Sequence, residues 1–431
     1  MTKKYVSYIV IAVLLTFPGF MLRLFQVELD PPAVAIITGA AILGASFLLL
    51  WACETAQKDI SQALALAVVA FIAVLPEYAV DMYFTWQAGQ NPEGEYAKYA
   101  IANMTGANRL IIGIAWAMVV GIFWLKTRRP VDLERDRRTE VIFLGAATLY
   151  AFFIPFKGSL AWYDGLVFVG LFAWYIVLAS RRPCVECELD GPAELLGRLS
   201  QRKRRTATAI LFLFAAGVIL SNAEPFSESL VATGKVLGIN EFLLIQWLAP
   251  IASEAPEFTV AAMFALRGQA GIALGSLISA KLNQWTLLVG MIPGVYGISS
   301  GSFASPIPMG SFQLNEILLT AAQSLLAVVL LLSLRLDIRG ALLLFILFIG
   351  QFIPFGYFAS LLGIPWQSAG YTGMHLSFVM LYLLVSCYLL VRRRVLVAAE
   401  WGGINFDRPG EVATPVALAT ARLSSGRPRP K

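Results

Sequence analysis

Long apolar stretches alternate along the chain with short polar connections. Twelve stretches approach the ~20 residues that carry a helix across ~30 Å of hydrocarbon. They lie at about 5–27, 33–53, 61–87, 97–124, 139–156, 161–180, 206–222, 238–266, 270–295, 312–333, 339–361 and 371–392. The pattern predicts an all-α polytopic membrane protein of about twelve transmembrane helices. Lys and Arg gather in loops 125–138, 181–205 and 334–338 and at the junction beginning Arg392. Loops 88–96, 223–237, 296–311 and 362–370 carry almost none. Basic residues are retained on the cytoplasmic side. The alternation therefore predicts a cell-membrane protein with both termini cytoplasmic, in contact with lipid along its length.

Composition sharpens this picture. Of 431 residues 58% are hydrophobic and 14% charged, with a net charge of +6, where a soluble domain carries about 25% charged residues. The positive balance sits in the loops, so it sets topology and implies no nucleic-acid partner. His375 is the single histidine, which removes His-based metal centres and catalytic triads. Cys184 and Cys187 form an isolated C-x-x-C in a polar loop, a weak metal signal without a second pair. No enzyme motif, resident cofactor or nucleotide-binding loop is evident, so an ion gradient is the expected energy source. The first apolar run has no clear cleavage site and reads as a span.

Two segments repeat each other. Pro76-Glu77-Tyr78 with Val80 and Phe84 matches Pro256-Glu257-Phe258 with Val260 and Phe264. Each is followed by a second apolar stretch opening on small and polar residues, Ala102–Asn108 in one copy and Gly275–Lys281 in the other. The motifs fall in the third and eighth spans, so they cross the membrane in opposite directions. Inverted repeats of this kind place ion sites near the midplane of secondary transporters.

A carboxylate inside hydrocarbon is costly and persists when it faces a partner, a cavity or an ion. The proline before each glutamate withdraws an N–H from the helix ladder, leaving a carbonyl that a cation can satisfy. Carboxylate, carbonyl and hydroxyl oxygens together suit calcium or sodium rather than zinc or copper. Asp81 lies one turn after Glu77 on the same face, either as a second acid on the cation path or as a partner for Arg109.

These residues resemble the calcium/cation antiporter superfamily, whose repeats carry a G-T-S-L-P-E type motif followed by G-N-x-x-G-S-N-x-x-[ND]. The resemblance implies two inverted five-helix repeats, with the first and last spans as additions. It implies transport of calcium against sodium or protons, and access that alternates as the first two core spans and their inverted mates slide past the ion-binding bundle. By position, Glu77 and Glu257 match the two cation-ligating glutamates, Ser253 a threonine, Glu254 the adjacent serine, Asn103 and Ser276 the asparagine of the second helix, and Gln284 the final acid or amide. Ala73, Val74, Ala107, Ala280 and Ile111 depart from the pattern, and Lys281 stands where the family has asparagine. Its ammonium would either replace a co-transported cation or pair with Glu254. The rival reading, favoured by Lys281 and the lost hydroxyls, is a non-transporting sensor or partner-binding protein on the same scaffold.

The expected organisation is an extra span in 1–30, a first repeat over 31–182 with its motif in 71–115, a cytoplasmic loop at 183–205, a second repeat over 206–365 with its motif in 247–290, an extra span in 366–395 and a basic tail over 396–431.

Overall fold

The computed structural model describes residues 2–25, 28–59, 75–181, 189, 191–351 and 369–401. Cys184 and Cys187, the start of the expected third span and most of the loop at 362–370 lie outside these residues. The described chain is helical almost throughout. The helices are α1 (Thr2–Phe25), α2 (Pro31–Ala56), α3 (Leu75–Gln90), α4 (Tyr96–Leu110), α5 (Ala117–Thr127), α6 (Arg138–Ala151), α7 (Trp162–Ala179), α8 (Gln201–Leu237), α9 (Glu241–Leu266), α10 (Ala270–Asn283), α11 (Val289–Ser300), α12 (Ser311–Leu331), α13 (Ile338–Gly350) and α14 (Ala369–Trp401), with two shorter turns at Phe153–Lys157 and Pro192–Gly197. Eight helical segments among the described residues are long and apolar enough to cross a membrane. The others that carry expected spans, α3, α9, α10 with α11, and α13, include the segments bearing the acids.

Local sequence explains the boundaries. The Pro31-Pro32 pair opens α2, where a missing N–H costs nothing and the fixed φ suits the first turn. Its buried small residues then let neighbours approach closely: a side chain added at Gly44 would meet the carbonyl of Ala12 in α1 at 2.6 Å, and one at Gly39 the Phe226 ring in α8 at 2.9 Å. Small residues at such crossings substitute for the hydrophobic driving force that lipid removes. Helices α12 and α13 are held at their starts by side chains, Gln313 accepting from the Gly310 N–H at 2.9 Å and Asp337 from the Gly340 N–H at 2.9 Å.

One boundary differs from expectation. The stretch 223–237, read from its polarity as an outside loop, continues α8 to Leu237 through Pro225. Ser227, Ser229 and Thr233 within it are buried instead of solvated, while Glu224 and Lys235 stay exposed. Glu228 accepts hydrogen bonds from the hydroxyls of Tyr83 at 2.6 Å and Tyr96 at 2.8 Å. Polarity here reports helix-to-helix contact, which hydropathy along the chain does not distinguish from water. At ~1.5 Å per residue the 37 residues of α8 reach ~55 Å, well beyond the ~30 Å of hydrocarbon.

The inverted repeat is visible in the backbone. α4 passes into α5 through a widened π-helical segment, Ile111–Trp116, and α10 passes into α11 through another, Gln284–Leu288. Ile111 and Gln284, where the two begin, are the positions that align between the repeats. The loops repeat the relation. Val131–Asp132 pairs antiparallel with Arg335–Leu336, joining two loops expected on the cytoplasmic face. Leu160 bridges Ile307, joining two expected on the outer face. Helices α1, α2 and α8 share a small apolar cluster that Ala79 of α3 also joins, whereas α4 to α7 and α9 to α14 contribute to a larger continuous core.

Candidate cation site

Glu77 sits in the first turn of α3, and Glu254 and Glu257 in the middle of α9. Pro250 and Pro256 lie within α9. Having no N–H, they leave the carbonyls four residues earlier, on Gln246 and Ala252, without their helical donor. Around Glu77 stand three further acids: Glu254 within hydrogen-bonding reach, and Asp81 and Glu257 nearby. Glu77, Asp81 and Glu254 are buried, and Glu257 is half-buried. Asp81 faces Asn103 of α4, and Gln284 at the start of the second π segment donates through Nε2 to Glu254 Oε1. The two Pro-Glu motifs and both second helices thus meet in one place.

The site is short of donors. Among the described residues no donor in hydrogen-bond geometry reaches either carboxylate oxygen of Glu77 or of Asp81, or Oε2 of Glu254. Both polar side-chain atoms of Asn103 and Oε1 of Gln284 are likewise buried without a partner of good geometry. Buried polar atoms are otherwise nearly always paired, so this concentration of orphaned oxygens marks a place for a positive ligand. Among the described residues no three His, Cys, Asp or Glu side chains are drawn into a ready coordination cage. The acids are neighbours, not a closed shell.

Two cations stand beside the acids, and neither pairs as considered from sequence. Lys281, completely buried, donates from Nζ to Asn108 Oδ1 at 2.7 Å and lies 4.3 Å from the centre of the Trp285 ring. Among the described residues it makes no ion pair with Glu254. Arg109 pairs with Glu316 of α12, not Asp81. It also donates to Gln351 Oε1 at 3.0 Å and stacks 5.0 Å from the Trp247 ring centre. Glu316 further accepts from Gln246 Nε2 at 2.7 Å and lies 3.3 Å from His375 Nδ1. This second polar cluster joins α4, α9, α12 and α14. Its members Glu316, Gln246 and Gln351 were not among the residues expected from sequence, although Glu316, an acid within an apolar span, meets the same criterion that drew attention to Glu77.

Two expected ligands are not brought to the acids. The Ser253 hydroxyl donates back to its own helix, to the carbonyls of Ala249 and Pro250 at 3.3 Å, the usual fate of a serine inside an apolar helix. Ser276 is exposed, because it lies on the face of α10 turned away from Lys281 and the other buried residues of that helix.

Comparison with known proteins agrees with this architecture. The sequence model of the sodium/calcium exchanger protein family matches residues 31–181 and 207–354. A crystal structure of an H+/Ca2+ exchanger, CAX, is 41% identical, covers 93% of this chain and 97% of its own, and superposes with a TM-score of 0.84. The structure of native YfkE shares the fold at 14% identity, covering 86% of this chain and 99% of its own with a TM-score of 0.60. No curated protein matches. With an inverted pair of Pro-Glu helices, matched π segments and a family match across both repeats, the chain belongs to the sodium/calcium exchanger family.

Proposed function

We propose that the protein is a secondary antiporter that exchanges calcium for protons, with Glu77, Glu257 and Glu254 as the principal cation ligands and Asn103, Gln284 and Asp81 completing the site. The observation that carries this reading is the charge balance at the centre of the bundle. Three acids, Glu254, Asp81 and Glu257, stand around a fourth, Glu77, and Arg109 is committed to Glu316. Among the described residues, Lys281 alone is left to offset them. Several carboxylates sharing a buried site cannot all stay ionised unless something positive joins them. A divalent cation or a set of protons can each meet that need, but not both at once. That exclusion is the coupling an antiporter requires. The carbonyl of Ala252, freed by Pro256 beside Glu254 and Glu257, adds hard oxygen of the kind calcium selects.

The choice of protons over sodium is supported by the scarcity of hydroxyls around the acids and by the likeness to a solved H+/Ca2+ exchanger at 41% identity. The orientation suggested by the basic loops places both termini in the cytoplasm of a cell whose membrane the chain spans.

The test is uptake of radioactive calcium into proteoliposomes. An outward proton gradient should drive uptake in the wild type, and Glu77→Gln should reduce the rate by about 100-fold or more, the scale of loss when a charge-stabilising group is removed. Calcium binding without flux under any gradient would instead identify a sensor. Retained flux in Glu77→Gln would refute the site.

A further inference from the structure

The contact between Lys281 and Asn108 joins two equivalent positions of the inverted repeat. Asn108 precedes the first π segment by three residues and Lys281 precedes the second by three. Residues related by a two-fold axis can touch each other only where they approach that axis. The 2.7 Å bond from Lys281 Nζ to Asn108 Oδ1 therefore puts the ammonium at the centre of the interface between repeats, the level at which inverted-repeat transporters hold their cargo.

Its surroundings are those of a bound cation, not of a structural ion pair. The side chain is completely buried. Its partners are a neutral amide oxygen and the face of Trp285 at 4.3 Å. Among the described residues no carboxylate lies within ion-pair distance. A buried ammonium held only by neutral groups is expensive unless longer-range negative charge compensates it. That charge is supplied by the acid cluster, of which Glu77 is the member that acts on Lys281. Lys281 thus contributes one permanent positive charge and occupies the space beside Asn108. With asparagine in both copies, the same place would present amide oxygens from both repeats to a small ion.

We propose that Lys281 is a tethered substitute for a monovalent cargo ion, and that it makes the protein select against sodium as counter-ion. The inference rests on the antiport reading above and adds the residue that determines counter-ion choice. The ammonium fills the position with its three donors and raises the electrostatic cost of a second monovalent cation there. The site is left able to exchange a divalent ion with protons carried on the carboxylates. Specificity of this kind depends on excluding the wrong ligand as much as on binding the right one.

The experiment compares wild type with Lys281→Asn, which restores to the second repeat the residue found in the first. Calcium uptake into proteoliposomes is measured under proton and sodium gradients, alongside radioactive calcium binding to purified protein with sodium as competitor. In the wild type, sodium should neither drive uptake nor displace calcium. In Lys281→Asn, saturating sodium should weaken apparent calcium affinity by about tenfold, within the usual range of coupling between two ligands. Sodium competition in the wild type would overturn the proposal while leaving antiport intact. So would a folded Lys281→Asn that binds calcium indifferently to sodium. Lys281→Gln, which also replaces the ammonium with an amide but keeps more of the side-chain length, is the second variant should Lys281→Asn not fold, and the same two outcomes apply to it. Absence of calcium flux in the wild type under any gradient would instead remove the antiport reading.

Discussion

Among the glycines of the described residues, the closest approach to a neighbouring backbone is at Gly106, where α4 crosses α9. A Cβ built there would stand 1.8 Å from the carbonyl oxygen of Gln246 and 2.7 Å from its carbonyl carbon. Ordinary contact begins near 3.4 Å, so Gly106→Ala requires one backbone to retreat by about 1.6 Å, and neither helix offers a flexible side chain to absorb the movement. Overpacking of this kind costs about 1–3 kcal/mol, and the functional effect should be larger. Helix α9 carries Glu254 and Glu257, while α4 carries Asn103 and Asn108. Displacing α9 from α4 therefore separates groups that must converge on one ion. Sites of this kind need ligands placed within ~0.5 Å, and a 1 Å misplacement can cost about 100-fold. Gly106→Ala should therefore lower proton-driven calcium uptake by about 100-fold while the purified protein remains monodisperse with a modestly lower melting point. Gly121→Ala is the matched control: this half-buried position has nothing within 4 Å of the added carbon, and uptake should stay within about twofold of wild type, since Ala is the better helix former where there is room for it. Equal uptake by the two variants would refute the argument that helix separation at Gly106 fixes ligand geometry.

The cluster around Glu316 and the ends of α2 and α8 supply further tests. Glu316→Gln leaves Arg109 buried without a counter-charge, which should destabilise by about 3–5 kcal/mol; the double change Arg109→Met with Glu316→Met should recover much of the loss, and a melting point unmoved by Glu316→Gln would contradict the buried pair. At the end of α2, Asp59 receives two 2.7 Å bonds from Arg204 of α8, which hold its carboxyl below the ordinary carboxylate range. A lowered folded value means the stabilisation is present above the unfolded value of about 4 and is lost as pH falls through the folded one. Asp59→Asn should thus lower the melting point at pH 7, with the difference from wild type closing under acid; a difference independent of pH would exclude the charge as its source.

Much of this molecule could be read before any coordinates. Apolar runs set the spans because an unpaired backbone in lipid leaves the helix as the available solution. The repeated Pro-Glu pairs identified the acids because ionisable groups in such runs carry a cost that has to be offset. Sequence position also made Lys281 the counterpart of Asn108. What the linear pattern did not contain is which faces meet. Ser253 and Glu254 are neighbours in the chain, yet the ~100° between successive helical residues turns one hydroxyl onto its own backbone and the other side chain into the acid cluster. The polar run at 223–237 looked like a loop because polarity toward a helix and polarity toward water are identical in one dimension. Sequence offered Asp81 as a partner for Arg109, and only the packing of α12 against α4 gave Arg109 to Glu316, leaving Lys281, among the described residues, as the ammonium beside the carboxylates. Sequence determined how many charges enter the bilayer, because burial energy depends on residue type. The tertiary structure decided which of them neutralise each other, because Coulomb energy depends on distance.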